Sequence, residues 1–188
     1  MNHQSDQYYI KKVLEGDVNT FSFLVKRYQN FVYTITYRVV RNTEEAEEVA
    51  QDTFVKAFKS LASYKGDAKF STWLYTIAYR KSLDAIKKRK RIPTFGIIEE
   101  ISEGEIERVG DALKYLEKKE KQQKILEAIH KLPQEEAVLI TLYYYDDKSV
   151  SEISEIVGLT TDNVKIKLSR SRKKLYSILK RYVSSEIN

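Results

Sequence analysis

The stretch SVSEISEIVGLTTDNVKIKLSRSRKKL, Ser149–Leu175, decides the fold. Ser149 and Glu152 have the capping-box form S-x-x-E, which opens a short helix. That helix places Val150, Ile153, Ile156 and Val157 on its inward side. Gly158 ends it, and Thr160 or Thr161 caps a longer basic helix beyond. A short helix, a tight turn bearing glycine and a longer basic helix make a helix-turn-helix.

Projected at 100° per residue, the second helix separates into two faces. Val164, Leu168, Ser171 and Leu175 form a core stripe. Lys165, Ile166, Ser169, Arg170 and Lys173 face outward, and Thr161 stands at the start. An aliphatic side chain in the middle of a basic outward face suits a helix that enters the major groove, where Ile166 meets a thymine methyl. Lys167, Arg172 and Lys174 flank the stripe and are expected to reach phosphates. Upstream, Leu132-Pro133 starts another helix, QEEAVLITLYYY, which stops at Asp146-Asp147. Its apolar run Ala137–Tyr145 spans nine residues, whereas a membrane span needs about 20.

The N-terminal half carries its own helical pattern. Phe21, Leu24, Val25, Tyr28, Phe31, Val32, Ile35 and Val39 follow helical spacing, after a stop at Gly16 and a new cap at Asp17. Thr43 is expected to cap the next helix, over residues 43–61, with Glu44 and Glu45 in its first turn. Ala46, Ala50, Thr53, Phe54, Ala57, Phe58 and Leu61 project to its core side. Glu48, Gln51, Asp52, Val55 and Lys59 project outward. Val55 ringed by acids reads as a docking face for a basic partner helix. A carboxylate metal site is the rival reading, but these acids scatter round the helix instead of converging.

Then comes ASYKGDAKFSTWLYTIAYRKSLDAIKKRKR. Gly66-Asp67 marks a turn, and Ser71 or Thr72 caps a helix from Trp73 onward. Its end, Lys87–Arg91, holds more cations than the helix dipole asks for. Tyr64, Phe70, Trp73, Tyr75 and Tyr79 interleave with Lys65, Lys69, Arg80 and Lys81. Single-strand binders use that mixture, stacking bases on rings and matching phosphates with cations. Trp73 itself reads as a core residue before it reads as a stacking platform.

Charge and composition bound the rest. The chain has 188 residues and a net charge of +6. Residues 1–92 hold 17 basic and 10 acidic residues, residues 93–120 hold 4 and 8, and residues 121–188 hold 12 and 9. Two basic blocks therefore flank an acidic connector that begins at Pro93 and reads as a linker. Such an arrangement suits one long polyanion touched at two places. The absence of cysteine excludes a disulfide scaffold, a thiolate metal site and a cysteine nucleophile. The two histidines, His3 and His130, lie far apart in sequence, so a histidine metal cage or a triad would have to rest on His130 or on a residue at the N-terminus. Six glycines and two prolines are too few for a turn-rich β fold. The polar start MNHQSDQYY shows no signal peptide. The expectation is an all-α, cytoplasmic protein with two small helical domains on a flexible acidic linker. No enzyme activity, catalytic residue, metal, cofactor or small-molecule substrate is expected.

GDVNTFSFLVKRY (16–28), EEAEEVAQDTFVKAF (44–58), KFSTWLYTIA (69–78) and the block from Leu132 to Leu175 together resemble the extracytoplasmic-function sigma factors of bacteria. The resemblance covers nearly the whole chain, and the order and spacing of the blocks are more specific than any one of them. It implies a region 2-like domain over 1–92, a linker over 93–120 and a region 4-like domain over 121–188. It further implies that Glu48, Gln51, Asp52 and Val55 dock on core RNA polymerase. Tyr64, Lys65, Gly66, Asp67, Lys69, Trp73, Tyr75, Arg80, Lys87, Lys88 and Arg89 would meet the minus-ten DNA, with the loop 63–69 holding a flipped non-template base. Thr161, Lys165, Ile166, Lys167, Ser169, Arg170 and Lys173 would meet the minus-thirty-five duplex. The implied partners are core RNA polymerase, double-stranded promoter DNA, the melted non-template strand and an anti-sigma factor. A stand-alone helix-turn-helix regulator is the alternative; it leaves the acidic face without a task.

Overall fold

The computed structural model describes residues 5–89, 102, 104, 106, 107, 109 and 118–184. Regular structure among them is helical, with no strand. The chain divides into two compact units, Met1–Arg91 with Ser151–Gly158 and Ile92–Val150 with Leu159–Asn188.

In the first unit, α1 (Asp6–Leu14) is capped by Ser5, whose hydroxyl accepts from the Tyr8 amide at 3.4 Å. Gly16 ends the segment with φ at +106°, which a side chain would strain. Asp17 does not cap an α-helix directly. Its carboxylate accepts from the Thr20 hydroxyl at 2.6 Å and holds the 3₁₀ turn Val18–Thr20. Next come α2 (Phe21–Val40), α3 (Thr43–Lys59), a second 3₁₀ turn at Leu61–Ser63 and α4 (Phe70–Arg89). α2, α3 and α4 pack pairwise around Leu24, Val32, Ile35, Val39, Leu74 and Ala78, with Ala46, Ala50 and Ala57 keeping α3 close to its neighbours.

The start of α3 corrects one expectation. Arg41 closes α2 in the left-handed region, φ +58°, and leaves Asn42 extended. Asn42 therefore takes the cap position, its Oδ1 accepting from the Glu45 amide at 2.8 Å, and Thr43 is the first helical residue. The core side of α3 is also one step wider than expected. Val49 is buried, while Phe58 is 40% exposed and meets the edge of Phe21 at 5.2 Å. Helix α4 starts three residues earlier than the cap signal suggested. Ser71 and Thr72 are buried inside its first turn and do not cap it.

In the second unit, α5 (Lys118–Lys131) leads to buried Leu132 and to Pro133, the N-cap of α6 (Gln134–Tyr145). Residues Ala137–Leu142 are buried on every side of α6, so its sequence shows no amphipathic stripe. Asp146 ends that helix and Asp147 follows with φ at +47°. α7 (Val150–Val157), whose residues from Ser151 on group with the first unit, buries Ile153 and Ile156, and the Gly158 amide donates to the Ser154 carbonyl at 2.9 Å. Thr160 is the cap of α8 (Thr161–Ser184): its hydroxyl accepts from the Asn163 amide at 3.3 Å. α8 packs on α5 and α6.

Candidate nucleic-acid and protein-docking interfaces

The outward face of α3 is built as its sequence suggests. Glu48, Gln51, Asp52 and Val55 are all exposed, Val55 at 51%. The face is held rigid from behind by Ala46, Val49, Ala50, Thr53 and Ala57. It is not an isolated acidic strip. Lys81 of α4 donates to Asp52 Oδ2 at 3.2 Å, and Arg89 pairs with Glu45. An open groove of about 740 Å³ between α3 and α4 is lined by Glu48 and Asp52 on one side and Lys81 and Lys88 on the other. In the sequence Lys81 belongs to the aromatic–basic mixture of α4, and only the fold brings it to Asp52.

The loop after Leu61–Ser63 rests on an aromatic cluster. The Tyr64 ring lies 5.3 Å from Trp73 and 5.7 Å from Phe70, and Phe70 lies 5.6 Å from Trp73. The Tyr64 hydroxyl donates to the Ala68 carbonyl at 2.6 Å and so closes the loop on itself. Burial raises the Tyr64 phenol above its ordinary pKa, the Asp6 and Asp67 carboxylates add to this and the Gln7 hydrogen bond opposes it. The phenol is therefore a neutral donor at physiological pH. Lys65, Gly66, Asp67 and Lys69 are exposed, and Trp73 is half-buried.

Tyr75 does not belong to this surface. It is 1% exposed, enclosed by Phe31 at 5.1 Å and Tyr28 at 6.1 Å. The rings of α2 cover it, so it is a core residue with no face to offer DNA. Arg80, Lys87, Lys88 and Arg89 are exposed on α4. Arg89 differs from the two lysines before it. Besides pairing with Glu45, it donates to the Val40 carbonyl at 3.0 Å, at the C-terminal end of α2. A cation suits that end of a helix, where carbonyls lack partners. Arg89 thus ties α4 to α2 and α3. Lys90 and Arg91, in the same basic run, lie outside the described residues.

On α8 the two faces separate cleanly. Val164, Leu168, Ser171 and Leu175 are buried; Thr161, Lys165, Ile166, Ser169, Arg170 and Lys173 are exposed, Ile166 at 50%. Lys165 pairs with Asp162 at 3.3 Å along the helix. Lys167 is half-buried and points to its own scaffold, donating to Glu135 Oε2 at 2.8 Å. Lys174 does the same with Glu136 Oε1 at 2.6 Å. Two acids in the first turn of α6 therefore hold two cations expected on phosphates. Their sequence separation of 32 and 38 residues hides both pairs from local patterns.

Among the described residues no group of three or more His, Cys, Asp or Glu could hold a metal ion. No helix among them is long and apolar enough to cross a membrane.

Comparison with known proteins fits this geometry. The model of Sigma-70 region 2 matches residues 24–92, and that of Sigma-70 region 4 matches residues 122–175. The chain is 36% identical over 178 residues to the ECF RNA polymerase sigma factor SigW of Bacillus subtilis, covering 88% of this chain and 92% of that one. It is 27% identical over 179 residues to the RNA polymerase sigma-H factor of Pseudomonas aeruginosa, covering 92% of each. Among solved structures, its fold is similar to the sigma factor RpoE in complex with the anti-sigma factor NepR from Bartonella quintana. That match has a TM-score of 0.64 at 20% identity and covers 85% of this chain and 96% of that one. CnrH in complex with the cytosolic domain of CnrY matches with a TM-score of 0.59 at 21% identity, over 92% and 95% of the two chains.

Proposed function

The chain belongs to the ECF RNA polymerase sigma factors and acts as an alternative sigma factor, and on that premise we propose how its faces divide the work. Residues 1–92 dock on core RNA polymerase and open the minus-ten element. Residues 121–188 read the minus-thirty-five element, and residues 93–120 link the two. This division follows the matched regions 24–92 and 122–175, which keep α7 with α8.

Glu48, Gln51, Asp52 and Val55 form the polymerase-docking face. Tyr64, Lys65, Gly66, Asp67, Lys69 and Trp73 hold the melted non-template strand, and Arg80, Lys87 and Lys88 follow its phosphates. Thr161, Lys165, Ile166, Ser169, Arg170 and Lys173 enter the major groove. The observation that carries the reading is Ile166, half-exposed at the centre of a cationic face whose opposite side is fully buried. Water gives no reason to place an aliphatic side chain there; a thymine methyl does.

Strand opening is a matter of binding energy and not of covalent chemistry. Unstacking a base costs a few kcal/mol. Stacking on a ring returns roughly 1–3 kcal/mol, and phosphate contacts add a salt-dependent share. The balance is narrow enough that the polymerase must contribute, so the free chain binds promoter DNA weakly. The protein works in the cytoplasm, is not itself an enzyme, and has an anti-sigma factor as its regulatory partner. In vitro transcription with core polymerase over a genomic fragment library tests the reading. Discrete start sites that depend on the added chain are expected; their absence would overturn it.

A further inference from the structure

We propose that α1 supplies one wall of the pocket that receives an unstacked base, with the Gln7 carboxamide reading the base edge. The inference rests on the base-capture reading of the loop 63–69 and goes beyond it, because α1 precedes residue 24 and lies outside both matched regions.

A cavity of about 290 Å³ opens between α1 and that loop. Gln7, Ile10 and Lys11 line one side; Tyr64, Lys65 and Gly66 line the other. Its size is at the lower end for small-ligand sites and suits one flat ring system. Enzymes that hold an extruded base use an apolar or aromatic wall with a few polar groups aimed at the base edge. The cavity has those parts. Leu14 adds an exposed apolar side chain to the lining, with Ile10 buried beside it. The Tyr64 ring is braced from behind by Trp73 and Phe70. Gly66 holds φ at +84°, and a Cβ there would stand 3.9 Å from Gln7 Nε2, in the space between the walls.

Gln7 is the group positioned to discriminate. Its Nε2 reaches the Tyr64 hydroxyl only at 3.5 Å, the outer limit of a hydrogen bond, so little is lost when it turns to a ligand. The Tyr64 hydroxyl keeps its shorter bond to Ala68 throughout. A carboxamide sets a donor beside an acceptor, and base edges are read by such pairs. Lys11 and Lys65 stand exposed beside the opening, where a nucleotide's phosphates would pass; Lys11 is spanned by Glu15 at 3.7 Å.

The test uses core RNA polymerase reconstituted with the full chain. The complex is titrated with single-stranded minus-ten oligonucleotides that carry each of the four bases at each position in turn. Gln7→Ala is expected to reduce base preference at one position about tenfold. Affinity for core polymerase and the melting temperature should stay as in the unaltered chain, since Gln7 is exposed. Lys11→Gln is expected to lower affinity evenly for all four bases. An unchanged preference profile in Q7A, or an even loss at every position, overturns the proposal and leaves base capture standing. An unaltered holoenzyme with no base preference at any position overturns base capture and this proposal together.

Discussion

The Lys167 ammonium lies 2.8 Å from the Glu135 carboxylate, so a cation of α8 is held by α6. Lys167→Met should therefore change the salt dependence of minus-thirty-five binding by well under one unit of slope. Arg170→Ala, on the exposed face, should lower that slope by about 1. Fluorescence anisotropy against duplex, measured with holoenzyme over a range of salt, separates the two. The pair is partly exposed, so its loss should cost folding stability no more than about 1 kcal/mol.

Asp52→Lys combined with Val55→Glu should reduce affinity for core polymerase by at least about thirtyfold, the scale of a central hot spot. Both residues are exposed, so the fold should persist, with an unchanged helical circular dichroism spectrum. Pull-down with core polymerase reads the outcome; retention at the level of the unaltered chain would refute the docking assignment.

Ile166→Ser should alter preference at one minus-thirty-five position. Loss of the aliphatic contact with a thymine methyl is worth about 1 kcal/mol, roughly fivefold. A promoter library sequenced after transcription shows it as a relaxed thymine at one site. A profile identical to that of the unaltered chain would mean that Ile166 does not face the bases.

Lys87 and Lys88 should behave differently from Arg89, although the three are consecutive. Replacing both lysines with Gln should lower the salt slope of minus-ten binding by about 1.4, the value for two single-strand phosphate contacts, and leave urea unfolding unchanged. Arg89→Ala should instead destabilise the first unit by about 1 kcal/mol, because the Val40 carbonyl and Glu45 lose their partner. Equal behaviour of all three positions in urea would contradict the anchoring role.

The α8 faces were legible in the sequence because one helix decides them. A stripe with a period of 3.6 residues, Val164 to Leu175, is a local property and survives folding unchanged. The acidic face of α3 was legible for the same reason. Residues whose setting depends on a second element were not. Tyr75 shares the aromatic–basic pattern of its neighbours, and only the arrival of Phe31 and Tyr28 buries it. Phe58 falls on the apolar side of α3 but at its margin, where it meets the edge of Phe21 and stays exposed. Lys167 reads as a phosphate contact until Glu135 is brought beside it. The choice between Asn42 and Thr43 as cap rested on the backbone angle of Arg41, which no residue type dictates. Gln7 belongs to no motif, and its cavity exists only because α1 meets a loop 57 residues later in the chain.

The two-residue joint Arg41-Asn42 has a consequence for how this chain can change length. Asn42 is extended and already bound to Glu45, and Arg41 already occupies the left-handed region, so neither has slack to absorb an extra residue. An insertion or deletion just inside α3 would therefore turn the residues beyond it about the helix axis by roughly 100°. The alanines would leave the interior and Asp52 would swing away from Lys81. Substitutions on the outward face can accumulate one at a time, but a single codon gained or lost beside this joint would displace the whole proposed docking surface at once.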